Sequence, residues 1–384
     1  MAPIKLIHIA DLHAGKNNDR RLNRNEDLRH ALKHILSFAK EHRPDYVVVA
    51  GDIFDKKVPD AESIEVISEF FIGISRLGAK VIVIGGNHDS ALFLRSQRLW
   101  AEHFGIHIFP SVDRKNLVLR DGDIAFVCVP FVSERGITDL EGGKDRAVIS
   151  YSEAMKKLLH YGASLVEDVP YRVLVGHLFF AGVRLGNTEV EVTVSDTYAL
   201  PQQAIPPQFT YVALGHVHRY QRLEYAPTDA YYTGSLYQLD FGEAGQRKYF
   251  NWVVLENRRA KVEKVELPLL REFKKLLLKK EQDPQVLQRE KRANTYYWVD
   301  IEADTPQEFL LKKQRVERIF GEQLLRVYPI FPQRGWGKEE KTQRVDRDRL
   351  KDPVEMYREF LKSEGRKWDK EVERLLRELL QELS

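Results

Sequence analysis

The sequence predicts an α/β fold in which a buried parallel sheet carries the functional side chains. Short apolar runs alternate with stretches of helical periodicity through the first two-thirds of the 384 residues. These runs are apolar throughout, which is typical of parallel strands that are covered on both faces. With 43% hydrophobic and 30% charged residues, the composition excludes a disordered chain and indicates a folded globular protein.

The predicted strands and helices follow one another in a regular order. Six apolar runs are expected to form strands: Ile4–Ile9, Tyr46–Ala50, Val81–Ile84, Ile124–Phe131, Tyr171–Val175 and Tyr211–Leu214. Between the first two runs, apolar residues from Leu28 to Ala39 recur at helical spacing, and those from Ile64 to Leu77 do so before the third. Two further strands are predicted at Tyr231–Thr233 and Phe250–Leu255.

The composition changes after about residue 268. A stretch rich in Lys, Arg, Glu and Gln at Arg271–Arg292 precedes a predicted strand at Tyr296–Ala303, a helix at Pro306–Phe320 and a strand at Leu324–Phe331. A charged segment with two glycines then has the composition of a linker, and two amphipathic helices follow it. These helices are expected either to pack on their own domain or to dock on a partner helix. The predicted divisions of the chain are 1–268, 269–332, 333–350 and 351–384.

Charge, cysteine content and hydropathy limit the class of protein. The net charge is only +3, so a nucleic-acid surface would have to come from the local arrangement of charges. The single cysteine, Cys128, lies within an apolar run and indicates a small buried residue in a reducing, cytoplasmic compartment. No apolar stretch approaches the ~20 residues of a membrane span, and Ile4–Ala10 has the pattern of a core strand instead of a signal peptide.

Polar side chains follow five of the predicted strands, at the point where each strand ends. The segments are Asp11-Leu12-His13, Gly51-Asp52 with Asp55, Gly86-Asn87-His88-Asp89, Gly176-His177 and Gly215-His216-Val217-His218. Ligands of open α/β sheets bind at the carboxyl ends of strands. Carboxylate, amide and imidazole groups together suit Mn²⁺, Fe²⁺ or Zn²⁺. The candidate groups are too many for one ion but suit two ions ~3.5–4 Å apart, a pair that activates water and holds a phosphate.

Each of these segments has an ordinary structural alternative. An Asp-x-His segment is often a turn with a helix cap, Gly-Asp is usually a turn, and His-x-His is commonly two strand residues. The occurrence of all five at strand ends of one domain favours the metal site. The glycines before Asp52, Asn87, His177 and His216 predict tight turns at the strand ends.

This series of segments resembles the motifs of the calcineurin-like metallophosphoesterases. A finer resemblance, to the SbcD-type DNA-repair exonucleases (bacterial counterparts of the meiotic-recombination-eleven nucleases), rests on Ile9–His13, Gly51–Asp55, Tyr211–His218, Tyr232–Ser235 and Phe241–Glu243. Leu236 stands where that family usually has proline. The resemblance implies a metallophosphoesterase sandwich with a small α+β capping domain at 269–332 and C-terminal helices.

The resemblance also implies roles for individual residues. One ion would be held by Asp11, His13, Asp52 and His218, and the second by Asp52, Asn87, His177 and His216, with Asp52 as the bridge. His88 is implied as a catalytic residue that contacts the phosphate and assists the leaving oxygen. We expect the Asp55 carboxylate to pair with His88 and raise its pKa, and the alternative is that Asp55 caps a helix.

The implied activity is that of a Mn²⁺-favoured DNA nuclease, a 3′→5′ double-strand exonuclease and single-strand endonuclease. The implied partners are DNA, a second copy of the chain, and an SbcC-type coiled-coil ATPase bound by residues 351–384. Basic residues expected beside the metal edge are Arg20, Arg21, Arg24, Lys56, Lys57, Arg95, Arg98, Arg184, Arg219 and Arg222. Two alternatives remain: another calcineurin-like phosphoesterase acting on nucleotides or phosphomonoesters, and a non-catalytic DNA-end-binding scaffold.

Overall fold

Two six-stranded sheets lie face to face in the structure, a computed structural model that describes residues 2–18, 22–133, 150–185 and 199–331. In spatial order the first sheet contains β14 (Arg259–Leu267), β13 (Lys248–Glu256), β1 (Ile4–Ile9), β4 (Tyr46–Val49), β5 (Lys80–Ile84) and β6 (Ile106–Phe109). Strands β1, β4, β5 and β6 run parallel, whereas β13 pairs antiparallel with β1 and β14. The carboxyl ends of the parallel strands therefore meet at one edge.

The second sheet has a parallel centre with one antiparallel strand at each edge. In spatial order it contains β11 (Gln221–Arg222), β12 (Ala230–Tyr232), β10 (Tyr211–Gly215), β9 (Tyr171–His177), β8 (Ile124–Val129) and β7 (Val118–Asp121). All eight strands predicted for the first two-thirds of the chain are present, divided between the two sheets. The prediction missed β6, β7, β11 and β14, which are short or carry several charged residues.

Three apolar layers hold the two sheets and their helices together. The layer between the sheets includes Leu6, Val48 and Ile82 from the first and Phe126, Val173 and Ala213 from the second. Helices α1 (Asn25–His42) and α2 (Ala61–Ser75) cover the outer face of the first sheet, α3 (Ala91–Ala101) packs beside β6, and α4 (Tyr151–Ser164) covers the second sheet. The predicted α/β sandwich is confirmed as an α/β/β/α arrangement.

A third, smaller sheet follows within the same compact unit. It contains three parallel strands, β15 (Glu272–Leu278), β16 (Thr295–Glu302) and β17 (Leu324–Ile330), with α5 (Pro306–Phe320) packed against one face. The predicted strand–helix–strand unit is present. Strand β15 was missed because Glu272, Lys274 and Lys275 break the apolar pattern of an edge strand. A short ladder of β2 (Asn17–Asn18) and β3 (Leu22–Asn23) lies in the loop after β1.

Several predictions fall outside the described residues. These are the linker at 333–350, the helical segment at 351–384, residue 332 of the capping domain, and the basic residues Arg20 and Arg21. None of the helices in the described ranges combines the length and the apolarity that crossing a bilayer requires. Cys128 has a free thiol and is buried between the two sheets, as its position in an apolar run predicts.

Candidate metal centre

The loops that follow the parallel strands of both sheets bring the predicted ligands to one place. Asp11 and His13 follow β1, Asp52 follows β4, Asn87 follows β5, His177 ends β9, and His216 and His218 follow β10. Most of these side chains are buried, with exposures of 0% for Asp11 and His177 and 1% for His13 and Asp52. The ligand-type groups therefore come from two sheets and meet where the two rows of strand ends face each other.

Four of these residues have left-handed backbone angles, which are uncommon for residues other than glycine. The φ values are 52° at Asp11, 45° at His13, 50° at Asp52 and 98° at His216. Hydrogen bonds between the loops hold them there: the Asp11 amide donates to Gly51 O at 3.1 Å, and the His216 amide donates to Asp11 Oδ1 at 2.9 Å. Such strain typically concentrates at functional sites, where surrounding contacts over-determine the conformation.

Two of the glycines at the strand ends are required for space. A Cβ atom at Gly86 would lie 2.1 Å from Asp52 Oδ1, and one at Gly215 would lie 1.9 Å from Ala50 O. Neither glycine has a left-handed φ, and the requirement for glycine at these two positions is the close approach of neighbouring groups, which leaves no room for a side chain. At Gly51 the prediction of a tight turn is right, because φ is 90° there.

The first ligand group consists of Asp11, His13, Asp52 and His218, whose ligand atoms all lie within 4.8 Å of one another. His13 Nε2 is 3.2 Å from His218 Nε2 and 3.6 Å from Asp52 Oδ2. Within the described part of the chain, Asp11 Oδ2 has no hydrogen-bond partner although it is buried. A buried carboxylate oxygen beside two facing imidazole nitrogens fits a cation at this position.

The second ligand group consists of Asp52, Asn87, His177 and His216. Asn87 Oδ1 lies 3.0 Å from His177 Nε2 and 2.9 Å from His216 Nδ1, and Asp52 Oδ2 lies 3.4 Å from His177 Nε2. His177 Nδ1 donates its hydrogen to Ala50 O at 2.9 Å, which in a neutral ring leaves the lone pair on Nε2. That lone pair would face two oxygen atoms, so this group also fits a cation. Asp52 Oδ2 lies between the two groups.

The pKa values of Asp52 and His177 indicate that this site needs a positive charge, which either a proton or a bound cation can supply. Burial alone would raise the pKa of Asp52, but His177 and His13 lower it well below its usual range. Burial lowers the pKa of His177, but the Asp52 carboxylate outweighs it and raises the pKa to about 9. The proton that this imidazole would hold supplies the positive charge that a metal ion would otherwise bring.

The structure corrects the predicted contact between the Asp55 carboxylate and His88. Asp55 Oδ1 lies 3.3 Å from His13 Nδ1 and 3.1 Å from Lys16 Nζ, whereas His88 Nδ1 lies 3.1 Å from the backbone oxygen of Asp55. The helix-cap alternative is wrong too, because α2 begins at Ala61 with Asp60 as its N-cap. The carboxylate thus holds the imidazole of a ligand-type residue, His13.

Sequence reasoning gave no role to Asp89, which joins two of the loops. Its buried carboxylate accepts hydrogen bonds from the amides of Ile53, Phe54 and Gly86, at 3.1, 2.9 and 2.8 Å. It therefore fixes the loop after β4 against the loop after β5. The sequence signal for Asp89 was its place in the Gly86–Asp89 segment. That segment alone does not show which backbone amides donate to the carboxylate.

The basic residues predicted beside the metal edge divide into three kinds where the structure describes them. Lys56, Lys57, Arg95, Arg184, Arg219 and Arg222 are exposed, and Arg98 is half-buried in an ion pair with Glu102. Arg24 is fully buried, donates to Asp27 at 2.9 Å, and lies over the rings of Tyr237 and Phe273 at 5.4 and 4.4 Å. Its expected contact with phosphate is wrong, because its guanidinium is enclosed where the third sheet meets the first.

Comparison with known proteins agrees with this arrangement of ligands and strands. The calcineurin-like phosphoesterase family matches residues 4–220, which is more than half of the chain. The chain belongs to the calcineurin-like phosphoesterase family. The predicted resemblance, fold and phosphoesterase activity are thereby confirmed, and the ligand chemistry of the site fits divalent metal ions.

Curated relatives support the finer resemblance to the SbcD-type nucleases. The chain is 26% identical over 261 residues to the SbcD component of the nuclease SbcCD from Staphylococcus epidermidis, covering 67% of each chain. It is 27% identical to the Staphylococcus saprophyticus protein of the same name, covering 70% of each, and 28% identical to that of Escherichia coli, covering 68% of this chain and 67% of the relative. A dimetal phosphatase from Danio rerio is similar in structure, with 13% identity and a TM-score of 0.44 over 68% of this chain and 96% of that chain.

Proposed function

We propose that the chain is a two-metal DNA nuclease that acts in DNA double-strand-break repair and recombination. Its activities would be those of a 3′→5′ double-strand exonuclease and a single-strand endonuclease. The position of Asp52 Oδ2, 3.6 Å from His13 Nε2 and 3.4 Å from His177 Nε2, carries the two-metal part of the proposal. The relatives are named as components of the nuclease SbcCD, which supports DNA as the substrate.

The two ligand groups would hold one ion each and share Asp52. One group is Asp11, His13, Asp52 and His218, and the other is Asp52, Asn87, His177 and His216. The mixture of imidazole and oxygen donors favours Mn²⁺ over Mg²⁺, which prefers oxygen ligands. When bound, two such ions neutralise the charge of a phosphodiester and lower the pKa of water enough to make it a nucleophile.

His88 is proposed as the catalytic residue that contacts the phosphate. Its amide donates to Asp52 Oδ1 at 2.9 Å, and its Nδ1 donates to the backbone oxygen of Asp55 at 3.1 Å, so the ring is anchored at the edge of both groups. Like Asn87 and His218, and unlike the other ligand-type residues, it is only half-buried, which gives a substrate access to Nε2. Asp55 acts on catalysis through His13 as a positioning residue.

DNA would approach across the exposed basic residues around this edge. Lys56, Lys57, Arg184 and Arg219 lie in loops beside the ligand-bearing strand ends, where they would contact phosphates. Residues 1–268 would form the nuclease domain, and 269–332 a DNA-capping domain. The face of the third sheet away from α5 supports this because Lys275 and Trp298 lie together there, with the ammonium 4.6 Å from the ring centroid.

A second copy of the chain and a coiled-coil ATPase of the SbcC type would complete the assembly. Helix α3 and the turn after it expose a row of large apolar side chains, with Leu92 76%, Leu99 80% and Phe104 46% exposed, which supports a homodimer through this face. Residues 351–384, after a linker at 333–350, would bind the ATPase. Cytoplasmic location fits the buried, unpaired Cys128.

Cleavage of defined substrates with Mn²⁺ tests the proposal. Three proteins would be compared: the wild type, Asp52→Asn, and the control Asp168→Asn, which replaces an exposed carboxylate in an ion pair with Arg120. Each would be given end-labelled duplex DNA, circular single-stranded DNA and a phosphomonoester. We expect Mn²⁺-dependent cleavage of both DNAs by the wild type and Asp168→Asn, and none by Asp52→Asn. Hydrolysis of the monoester without DNA cleavage would favour the phosphomonoesterase alternative. DNA binding without any hydrolysis would favour the scaffold.

A further inference from the structure

The far side of His218 faces a buried ion pair to which neither the family match nor the proposed function assigns a role. His218 Nδ1 lies 3.2 Å from Glu243 Oε1, on the opposite side of the ring from Nε2, which faces His13. Glu243 lies in the short turn Phe241–Glu243, and its side chain is fully buried. A neutral imidazole carries one hydrogen, and a carboxylate at Nδ1 favours the form with that hydrogen on Nδ1 and the lone pair on Nε2.

Lys248 makes the buried carboxylate possible. Its side chain is 2% exposed, and Nζ lies 2.6 Å from Glu243 Oε2. The other two hydrogens of the ammonium go to Ser235 Oγ at 2.7 Å and to the backbone oxygen of His218 at 3.2 Å. Glu243 Oε2 also accepts from the Leu239 amide at 3.0 Å. A buried charge of either sign would be costly alone, and the contact between Nζ and Oε2 pairs the two charges.

The ion pair also joins the two sheets. His218 follows β10 of the second sheet, whereas Lys248 is the first residue of β13, which pairs with β1 of the first sheet. Lys248 therefore fixes the backbone of His218 relative to the strand beside the one that delivers Asp11 and His13. The Ser235 amide donates to the same His218 oxygen at 3.2 Å, which adds a second anchor.

We propose that Glu243 and Lys248 are positioning residues that set the tautomer and the orientation of His218 and so determine how tightly its ligand group binds a divalent ion. The inference rests on the proposed function, since it concerns an ion at the same site. It gives a physical purpose to the Phe241–Glu243 segment, for which sequence analysis found only a resemblance. Groups that orient a ligand in this way contribute substantially to metal affinity.

Mn²⁺ affinity measured by chelator competition, together with the tautomer of His218, tests the inference. We expect Glu243→Gln to weaken Mn²⁺ binding by about 10- to 100-fold, the usual effect of removing such a partner. Saturating Mn²⁺ should then restore much of the activity. The matched control is Glu266→Gln, which removes the exposed ion pair with Arg247 from the same β-hairpin and should leave affinity unchanged.

The double variant Glu243→Gln with Lys248→Met separates positioning from folding. It removes both charges together, so the fold loses an ion pair without keeping an uncompensated buried charge. We expect a melting temperature closer to that of the wild type than either single variant shows, with Mn²⁺ affinity still reduced. Wild-type affinity in a folded double variant would overturn the proposal.

The tautomer itself is measured in the metal-free wild-type protein by ¹⁵N NMR of the histidine rings. Hydrogen on Nδ1 of His218 supports the proposal, and hydrogen on Nε2 overturns it even if every variant fails to fold. This measurement needs no substrate. A chain that cleaves no DNA, yet shows the Nδ1 tautomer and loses Mn²⁺ affinity in Glu243→Gln, would refute the nuclease function and keep the positioning role.

Discussion

The imidazoles of His13 and His218 meet with their Nε2 atoms 3.2 Å apart, although the residues belong to loops of different sheets. Each ring has a carboxylate at its Nδ1 atom, Asp55 for His13 and Glu243 for His218. Each carboxylate in turn lies beside a lysine, Lys16 or Lys248. Both rings therefore direct their lone pairs at one point, where a cation would hold them together.

Metal binding should stabilise the fold, because it joins loops that otherwise face each other with like partial charges. We expect Mn²⁺ at 100 times its dissociation constant to stabilise the protein by about 2.7 kcal/mol, visible as a rise in melting temperature. EDTA should reverse the rise. His13→Gln removes one ligand and should respond much less to Mn²⁺, and an equal rise in that variant would contradict the assignment.

Asp55 and Asp60 provide a direct test of the corrected role of Asp55. Asp55→Ala should weaken Mn²⁺ binding by about tenfold, because His13 loses the partner at its Nδ1 atom. Asp60→Ala removes the N-cap of α2 and should cost about 1 kcal/mol of folding stability without changing Mn²⁺ affinity. Chelator competition and thermal unfolding of both variants distinguish these effects. Equal Mn²⁺ affinities in the two variants would contradict the role.

Gly86→Ala should inactivate the site although it replaces no ligand-type residue. The new Cβ would lie 2.1 Å from Asp52 Oδ1, so the loop after β5 must move away from Asp52. A displacement of ~1 Å can lower activity by about 100-fold, and we expect at least that loss of Mn²⁺-dependent hydrolysis. Gly73→Ala in α2 is the control, since its Cβ would meet only the end of the Leu36 side chain. Activity retained in Gly86→Ala would show that the loop accommodates the methyl group.

His8 should make the fold sensitive to acid. Burial lowers its pKa to about 3, while the unfolded chain keeps the ordinary value of 6.5. As the pH falls from 6.5 towards 3, His8 is protonated in the unfolded chain but stays neutral in the folded protein. The free energy of unfolding therefore falls by up to about 1.4 kcal/mol per pH unit. In EDTA, the free energy of unfolding should therefore depend less steeply on pH in His8→Gln than in the wild type. The control His103→Gln replaces an exposed histidine and should show the pH dependence of the wild type. Identical slopes in all three proteins would refute the prediction.

Charge on the exposed face of α3 should disrupt the proposed homodimer. Leu99 is 80% exposed, and we expect Leu99→Glu to convert a dimer into a monomer in sedimentation-velocity experiments. Leu277→Glu changes an exposed leucine on the third sheet and should leave the dimer intact. If the wild type sediments as a monomer, or if both variants remain dimeric, this face is not the interface.

The strand-end positions of the proposed ligands could be predicted from the sequence. Buried parallel strands are continuous apolar runs, so the residues after them mark one edge of each sheet, and Asp11, Asp52 and His216 could be placed there from the sequence alone. Their left-handed backbones could not be placed in this way. That strain is imposed by hydrogen bonds from other loops, such as the one from the His216 amide to Asp11 Oδ1.

Charged side chains were the main source of error. Arg24 was expected beside the metal edge, where it would face phosphates, but Asp27 and two aromatic rings enclose it. Glu243 and Lys248 have no sequence pattern that reveals their burial, since their partner His218 is delivered by a strand of the other sheet. A contact between distant segments becomes visible only when both are placed in space.

The division of the ligands between two sheets has a consequence during synthesis of the chain. The first sheet supplies Asp11, His13 and Asp52 but needs His218 to complete its group, and Asn87 of the first sheet needs His177 and His216 of the second. A ribosome that has made only the first hundred residues has therefore produced no complete ligand group. Hydrolytic competence would arise late, once β10 has emerged and docked, so an unfinished chain would not damage nucleic acid while it is being translated.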